Sequence, residues 1–247
     1  MNLKLESLQV QIRDSVKDFA ERLLAVLGSN LQSITVVGSS LTEDFKPRQS
    51  DINIVLVLDR QNTESLNALA SLAKPMSRKK ISPPLLMTRS YIKRSQDVFG
   101  VEFLDFQLAH ETVMGDDPFI SLSFDKKDIR LQCERELKAM LIRLRQGYIA
   151  AAANKKLVRD ILISTAKGMA PLLRAMLWLK DIERTARAEP TFNKASGEFS
   201  IDTSPLTSAI KWRHEKIRLS ETEMKNAFET VYSVVDQLAG TVDEIKV

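Results

Sequence analysis

Apolar residues recur at three- to four-residue spacing early in the chain, at Leu8, Ile12, Val16, Phe19, Leu23 and Leu27. That spacing lines one face of a helix and predicts a long amphipathic helix over residues 3–27, stopped by Gly28 and Asn30. The texture then becomes strand-like. Residues 33–37 are rich in β-branched side chains and end at Gly38. Residues 51–58 open with two polar alternations, Asp51-Ile52-Asn53, and continue as an unbroken apolar run, the pattern of a strand that starts at a sheet edge or cleft and enters the core. A helix is expected over 62–73, ended by Pro75. Residues 84–88 and 101–107 read as two further strands, with a short helix over 91–98 between them. This order predicts a mixed helix–sheet (α/β) domain ending near residue 118.

Beyond Pro118 the alternating pattern disappears. Long 3.6-residue periodicities predict helices over 128–153 and 157–187, the second bent at Pro171. Pro190, Gly197 and a polar composition mark 188–204 as a loop. Helices are expected over 206–214 and 221–238, the last opened by Ser220 and Glu223 in capping-box spacing. The fold class read from this pattern is α+β: a sheet domain over 1–120 followed by an all-α helical bundle over 121–247.

Composition narrows the chemistry. With 247 residues, 44% of them hydrophobic, the chain can bury a sizeable core. One Cys excludes an internal disulfide framework and a cysteine-based zinc cluster, and two His leave little for a histidine-rich metal site. No apolar run approaches the length of a membrane span, and charges throughout the first 22 residues do not suit a signal peptide; a soluble, cytoplasmic protein is expected. Residues 126–247 hold 22 Lys and Arg against 16 Asp and Glu. The alternating signs read as solvated helix faces, and with 6% aromatic residues and no RNP or zinc-finger motif, nucleic acid is not supported as a partner.

The chemistry-bearing stretch runs from Gly38-Ser39-Ser40 to Asp51-Ile52-Asn53. Glycine allows backbone to approach a ligand closely, hydroxyls add hydrogen bonds, and a short helix expected over 41–45 would favour an anion. Period two puts Asp51 and Asn53 on one strand face, so paired oxygen ligands lie beside a phosphate cradle, as a magnesium–nucleotide complex requires. Each part has a plainer reading alone. Gly38-Ser39 could be an ordinary strand-to-helix turn with a serine cap, Asp51 and Asn53 turn polarity, and Glu102 an exposed strand-start residue. Arg78-Lys79-Lys80 reads first as a solvated loop and second as a grip on polyphosphate. His110 reads first as a structural histidine and second as one touching the cleft, and His214 as a helix-surface residue.

Taken together, Gly38-Ser39, a spacer over 40–50 and Asp51-x-Asn53 between two β-runs resemble the signature of the DNA polymerase β-type nucleotidyltransferase superfamily, which includes the aminoglycoside and minimal bacterial nucleotidyltransferases. Glu102, in Phe99-Gly-Val-Glu102-Phe-Leu-Asp105, stands in the context of that family's third carboxylate. Gly115-Asp116-Asp117-Pro118-Phe119 is similar to the Gly-Asp stretch of small members, and the helical second half is similar to the kanamycin-nucleotidyltransferase type. The resemblance implies that Gly38 and Ser39 hold a nucleoside triphosphate with help from Ser40. It implies that Asp51 ligates magnesium with Asn53 in the second ligand position. Glu102 would contact a second ion or act as general base.

The implied reaction is in-line attack of an acceptor hydroxyl, on a small molecule or a protein, at the α-phosphate. Pyrophosphate leaves, and two Mg2+ ions about 3.5–4 Å apart stabilise the attacking and leaving oxygens. Asn53 departs from the family pattern, which has an acid there. An amide oxygen can ligate a hard cation but carries no charge, so a catalytically weak or inactive nucleotide-binding protein of the same fold, antitoxin-like, stands as the alternative. The bundle lacks the Arg-to-His ribonuclease motif of some helical partners of minimal nucleotidyltransferases, which leaves it as a substrate-cleft element or a surface for a homodimer.

Overall fold

The computed structural model describes residues 3–47, 49–213, 215 and 218–247; His214 lies outside the described residues. The chain divides into two compact units, one of Met1–Gln96 with Phe103–Ser123 and one of Asp97–Glu102 with Phe124–Val247.

The first unit is built on a four-stranded sheet of order β3-β2-β1-β4. The strands are β1 (Leu31–Val37), β2 (Asn53–Leu58), β3 (Leu85–Met87) and β4 (His110–Met114). β1 runs antiparallel to both neighbours, and β3 runs parallel to β2. Ile34, Val36, Ile52, Ile54, Leu56 and Leu58 face a core shared with Ile12, Val16, Phe19 and Leu23 of α1 (Val10–Leu27). Period two leaves Thr35, Val37, Asn53, Val55 and Val57 on the other face, where Thr35 Oγ1 and Thr112 Oγ1 are 2.9 Å apart. The helices α2 (Thr63–Ala70), α3 (Ala73–Arg78) and α4 (Arg89–Arg94) fill the connections. Pro75 sits inside α3 rather than ending a helix, because it occupies the third helical position, where no intrahelical donor is needed.

The segment 101–107 is not a strand. It forms α5 (Gly100–Leu108). Its run Val101-Glu-Phe-Leu-Asp-Phe satisfies period two and a three-residue spacing equally, and burial decides between them. Val101, Phe103 and Leu104 are all buried, which a half-exposed strand does not allow. The strand follows instead as β4, whose Thr112-Val113 run ends at Gly115 much as β1 ends at Gly38.

The second unit is helical. α6 (Lys126–Ala151) and α7 (Lys155–Leu179) are joined by three residues, a connection that makes them an antiparallel hairpin. α8 (Ala188–Phe199), α9 (Ser204–Lys211) and α10 (Glu221–Glu244) complete it. α7 continues through Pro171, and the Ser220–Glu223 capping box opens α10 with both of its hydrogen bonds made. The expected loop over 188–204 is largely α8. Pro190 lies in its first turn, where a missing N–H costs nothing, and Phe192 and Ala195 bury its one apolar face.

Candidate functional site

At the C-terminal end of β1, Val37 pairs with Asn53 on one side and His110 on the other. The chain then turns at Gly38, whose φ of 77° is a left-handed conformation that favours glycine. The Gly38 amide donates to the Ala109 carbonyl at 2.8 Å, so this donor is taken by the sheet and is not offered to a ligand. A single 3-10 turn spans Gly38–Leu41. The helix expected over 41–45 does not form, because Thr42 closes the turn instead, its amide and Oγ1 both donating to the Ser39 carbonyl at 3.1 Å. Gln9, the residue just before α1, ties the turn down by donating Nε2 to the Thr42 carbonyl at 2.9 Å.

The spacer closes on itself. Ser50 is 1% exposed, donates its amide to the Lys46 carbonyl at 2.8 Å and accepts the Lys46 amide on Oγ at 3.1 Å. This clasp delivers Asp51 to the start of β2. Ile52 and Ile54 are buried on the core face, so Asp51 and Asn53, both exposed, occupy the opposite one. The Asn53 Nδ2 lies 3.9 Å from where a side-chain carbon on Gly38 would stand. The structure therefore brings Gly38, Ser39, Ser40, Asp51 and Asn53 to one end of the sheet.

Ser40 bears on what this end can hold. Its side chain is 1% exposed, and its Oγ has no hydrogen-bond partner. A buried hydroxyl without a partner is costly unless something satisfies it, and a phosphate oxygen is such an acceptor. The donor set of one carboxylate and one amide suits a single magnesium ion arriving with a polyphosphate, since that ion is commonly held by one or two carboxylates plus phosphate oxygens. It does not suit two ions: among the described residues no group of three or more His, Cys, Asp or Glu side chains could hold a metal.

Glu102 is not on a strand beside Asp51. It lies in the first turn of α5 and belongs to the other compact unit, with α6. There Gln132, 4% exposed, accepts the Val101 amide on Oε1 at 2.9 Å and donates Nε2 to Glu102 Oε2 at 2.6 Å. The role that a strand tip would have given Glu102 has no such basis here. Beneath it, burial first, then the charges of Glu102 and Glu136, push the Cys133 thiol up to about 12.

His110 is placed by a strand that the sequence pattern did not reveal. Its Nδ1 is 2.9 Å from the Phe106 carbonyl and its Nε2 is 2.8 Å from Asp117 Oδ2, with Phe119 edge-on to the ring. With both nitrogens engaged by acceptors it is a fastener between β4 and the Asp117 turn. Burial pushes the Asp117 carboxyl up, but the His110 bond, the Phe119 and Ile120 amides and the His110 charge together hold it below the ordinary carboxylate range.

No protein-family model matches the chain, and no curated protein matches it. A solved structure does: spectinomycin adenyltransferase AAD(9) from Enterococcus faecialis, determined with ATP and spectinomycin, is similar with a TM-score of 0.59 over 90% of this chain and 98% of that one, at 10% identity. The chain shares the fold of that adenyltransferase. At that identity the likeness is one of architecture, and it covers the helical second unit as well as the sheet. Among the described residues, no helix is long and apolar enough to cross a membrane.

Proposed function

We propose that the chain binds a nucleoside triphosphate at the sheet end formed by Gly38–Ser40, Asp51 and Asn53, and that its reaction class is nucleotidyl transfer to a hydroxyl. The observation that carries this reading is the juxtaposition across Val37: a glycine turn with a buried, unpartnered serine hydroxyl beside an exposed Asp-x-Asn strand start. Gly38 keeps the backbone low enough for phosphate to approach, and the Ser39 and Ser40 hydroxyls donate to its oxygens. Asp51 supplies the single carboxylate ligand and Asn53 an amide oxygen. One magnesium ion bound there would neutralise phosphate charge and orient the triphosphate. The acceptor class is a hydroxyl on a small molecule or protein, and spectinomycin, named with the similar adenyltransferase, is the first compound to try.

A second reading is a nucleotide-binding protein that transfers nothing. The specific observation in its favour is charge: Asn53 brings none, and Glu102 sits on α5 rather than on a strand beside Asp51. Calorimetry with ATP, GTP, CTP and UTP, with and without magnesium, measures binding. Pyrophosphate release with added hydroxyl acceptors separates the two readings. Absence of binding to all four nucleotides, matched by an unchanged Asp51→Ala variant, would remove both.

A further inference from the structure

The run Arg78-Lys79-Lys80 ends beside the candidate site, and its geometry is unusual. α3 closes with the Ile81 amide donating to the Met76 carbonyl at 3.0 Å and the Lys80 amide to the Ser77 carbonyl at 3.2 Å. This pair of bonds is a Schellman closure, with Ile81 and Met76 both in the core as its apolar clasp. In that motif the residue at the Lys80 position is left-handed and is usually glycine; Lys80 has φ of 56°. A lysine there strains the backbone where glycine would not, and a residue held this way is a pointer to examine.

What lies next to Lys80 gives the pointer its direction. The Ile52 amide donates to the Lys80 carbonyl at 2.7 Å, and the Ser82 amide donates to the Ile52 carbonyl at 3.0 Å, making a parallel bridge between Ile52 and Ile81. The segment 80–82 therefore runs alongside Asp51-Ile52-Asn53 as an extra strand edge. Lys80 is exposed, and among the described residues no carboxylate is paired with it. The charge of Lys79 reaches α1: the Asp18 carboxyl is held low first by its hydrogen bond from Arg22 and last by the charge of Lys79. Lys80 is the cation of this run whose backbone adjoins Asp51.

We propose that Lys80 is a phosphate-binding residue, supplying beside Asp51 the positive charge for which a second ion has no ligands. The inference rests on the proposed nucleotide site and deepens it. A protein cation there makes polyphosphate binding only partly dependent on magnesium. Lysine suits the task as a compact point charge on a flexible stem.

The test is calorimetry of ATP and of inorganic tripolyphosphate against the full chain, in magnesium and in EDTA. Lys80→Ala is expected to weaken binding of both by about tenfold in either condition, the scale of one lost charge contact. Lys80→Arg is expected to restore most of it, and Lys74→Ala, a remote lysine on α3, to change nothing. Lys80→Gly separates binding from folding, since glycine relieves the left-handed backbone. It is expected to melt at the same or a higher temperature than the parent and to bind as weakly as Lys80→Ala. Parent-like ATP affinity in Lys80→Gly, or binding by the parent in magnesium only, would overturn the assignment of Lys80 and leave the nucleotide site standing. Failure of the parent chain to bind either probe in both conditions would overturn the nucleotide site itself, and this assignment with it.

Discussion

Asn53 pairs with Val37 in the β1–β2 ladder, two residues along the chain from Asp51 and on the same face. This relationship puts an amide where a second carboxylate would complete a cation site. On the proposed reading, Asn53→Asp adds a charge at an oxygen ligand position without lengthening the side chain. The magnesium concentration that half-saturates ATP binding is expected to fall by about tenfold, as ligand charge count governs affinity for hard cations. A magnesium titration by calorimetry in the presence of ATP measures it; an unchanged midpoint would take position 53 out of the ion site.

Two glycines with nearly equal φ separate conformational cost from collision. Gly38, at 77°, has only Asn53 Nδ2 near its missing side chain, whereas a side chain on Gly115, at 76°, would overlap the Gln32 carbonyl oxygen. Gly38→Ala is expected to cost about 1–2 kcal/mol of stability, the penalty of a left-handed alanine, and to weaken ATP binding. Gly115→Ala carries that penalty and a backbone clash, so it is expected to cost more than about 3 kcal/mol. Urea denaturation of both variants checks the order.

The His110–Asp117 pair predicts a pH response. The folded Asp117 carboxyl titrates below its unfolded value, so its contribution to stability is present above about pH 4 and is lost as pH falls through the lowered value. Asp117→Ala leaves the Phe119 and Ile120 amides and one histidine nitrogen without their acceptor. A loss of about 1–3 kcal/mol at neutral pH is expected, with a smaller difference from the parent near pH 3. Chemical denaturation across that range would show a constant difference if the pair were not coupled to folding.

Cys133 is buried, and its thiol is pushed up to about 12. The thiolate is the reactive form, so at pH 8 the native chain is expected to resist a disulfide-exchange reagent while the urea-unfolded chain reacts fully. Gln132→Ala removes the cap on the Val101 amide and the hydrogen bond to Glu102 just above that thiol. It is expected to raise the native-state reaction rate as well as lower stability by about 1–2 kcal/mol.

The sequence pattern revealed the long helices with one sustained apolar face, α1, α6, α7 and α10, and the shorter α2, α4 and α9 close to where they form. Two helices and one strand were misread. In α5, Val101, Phe103 and Leu104 satisfy both periods, and only packing on all of them together selects the helix. α8 was hidden by its polarity, since only two apolar residues, Phe192 and Ala195, are buried with Thr191 to seat it. β4 was hidden by His110 and Glu111, although Thr112-Val113-Met114-Gly115 carries the same β-branched run into glycine as the end of β1. Of the site, Gly38, Ser39, Ser40, Asp51 and Asn53 were legible as one motif because a turn and the following strand start are local. Lys80 was legible only as part of a basic run, read first as a solvated loop and second as a polyphosphate grip; its place beside Asp51 depends on a bridge between residues almost thirty positions apart.

From residue order alone came the sheet followed by helices, the pairing of a glycine turn with an Asp-x-Asn strand start, and an amide, Asn53, where the resemblance leads one to expect an acid. Periodicity and turn chemistry act over a few residues, so they are written in the chain itself. Tertiary structure decided that Glu102 belongs to a helix capped by Gln132, that His110 is spent on Asp117, that Ser40 is buried without a partner, and that Lys80 adjoins Asp51. Those outcomes depend on which surfaces bury one another and which polar groups then find partners, and no local pattern encodes that competition.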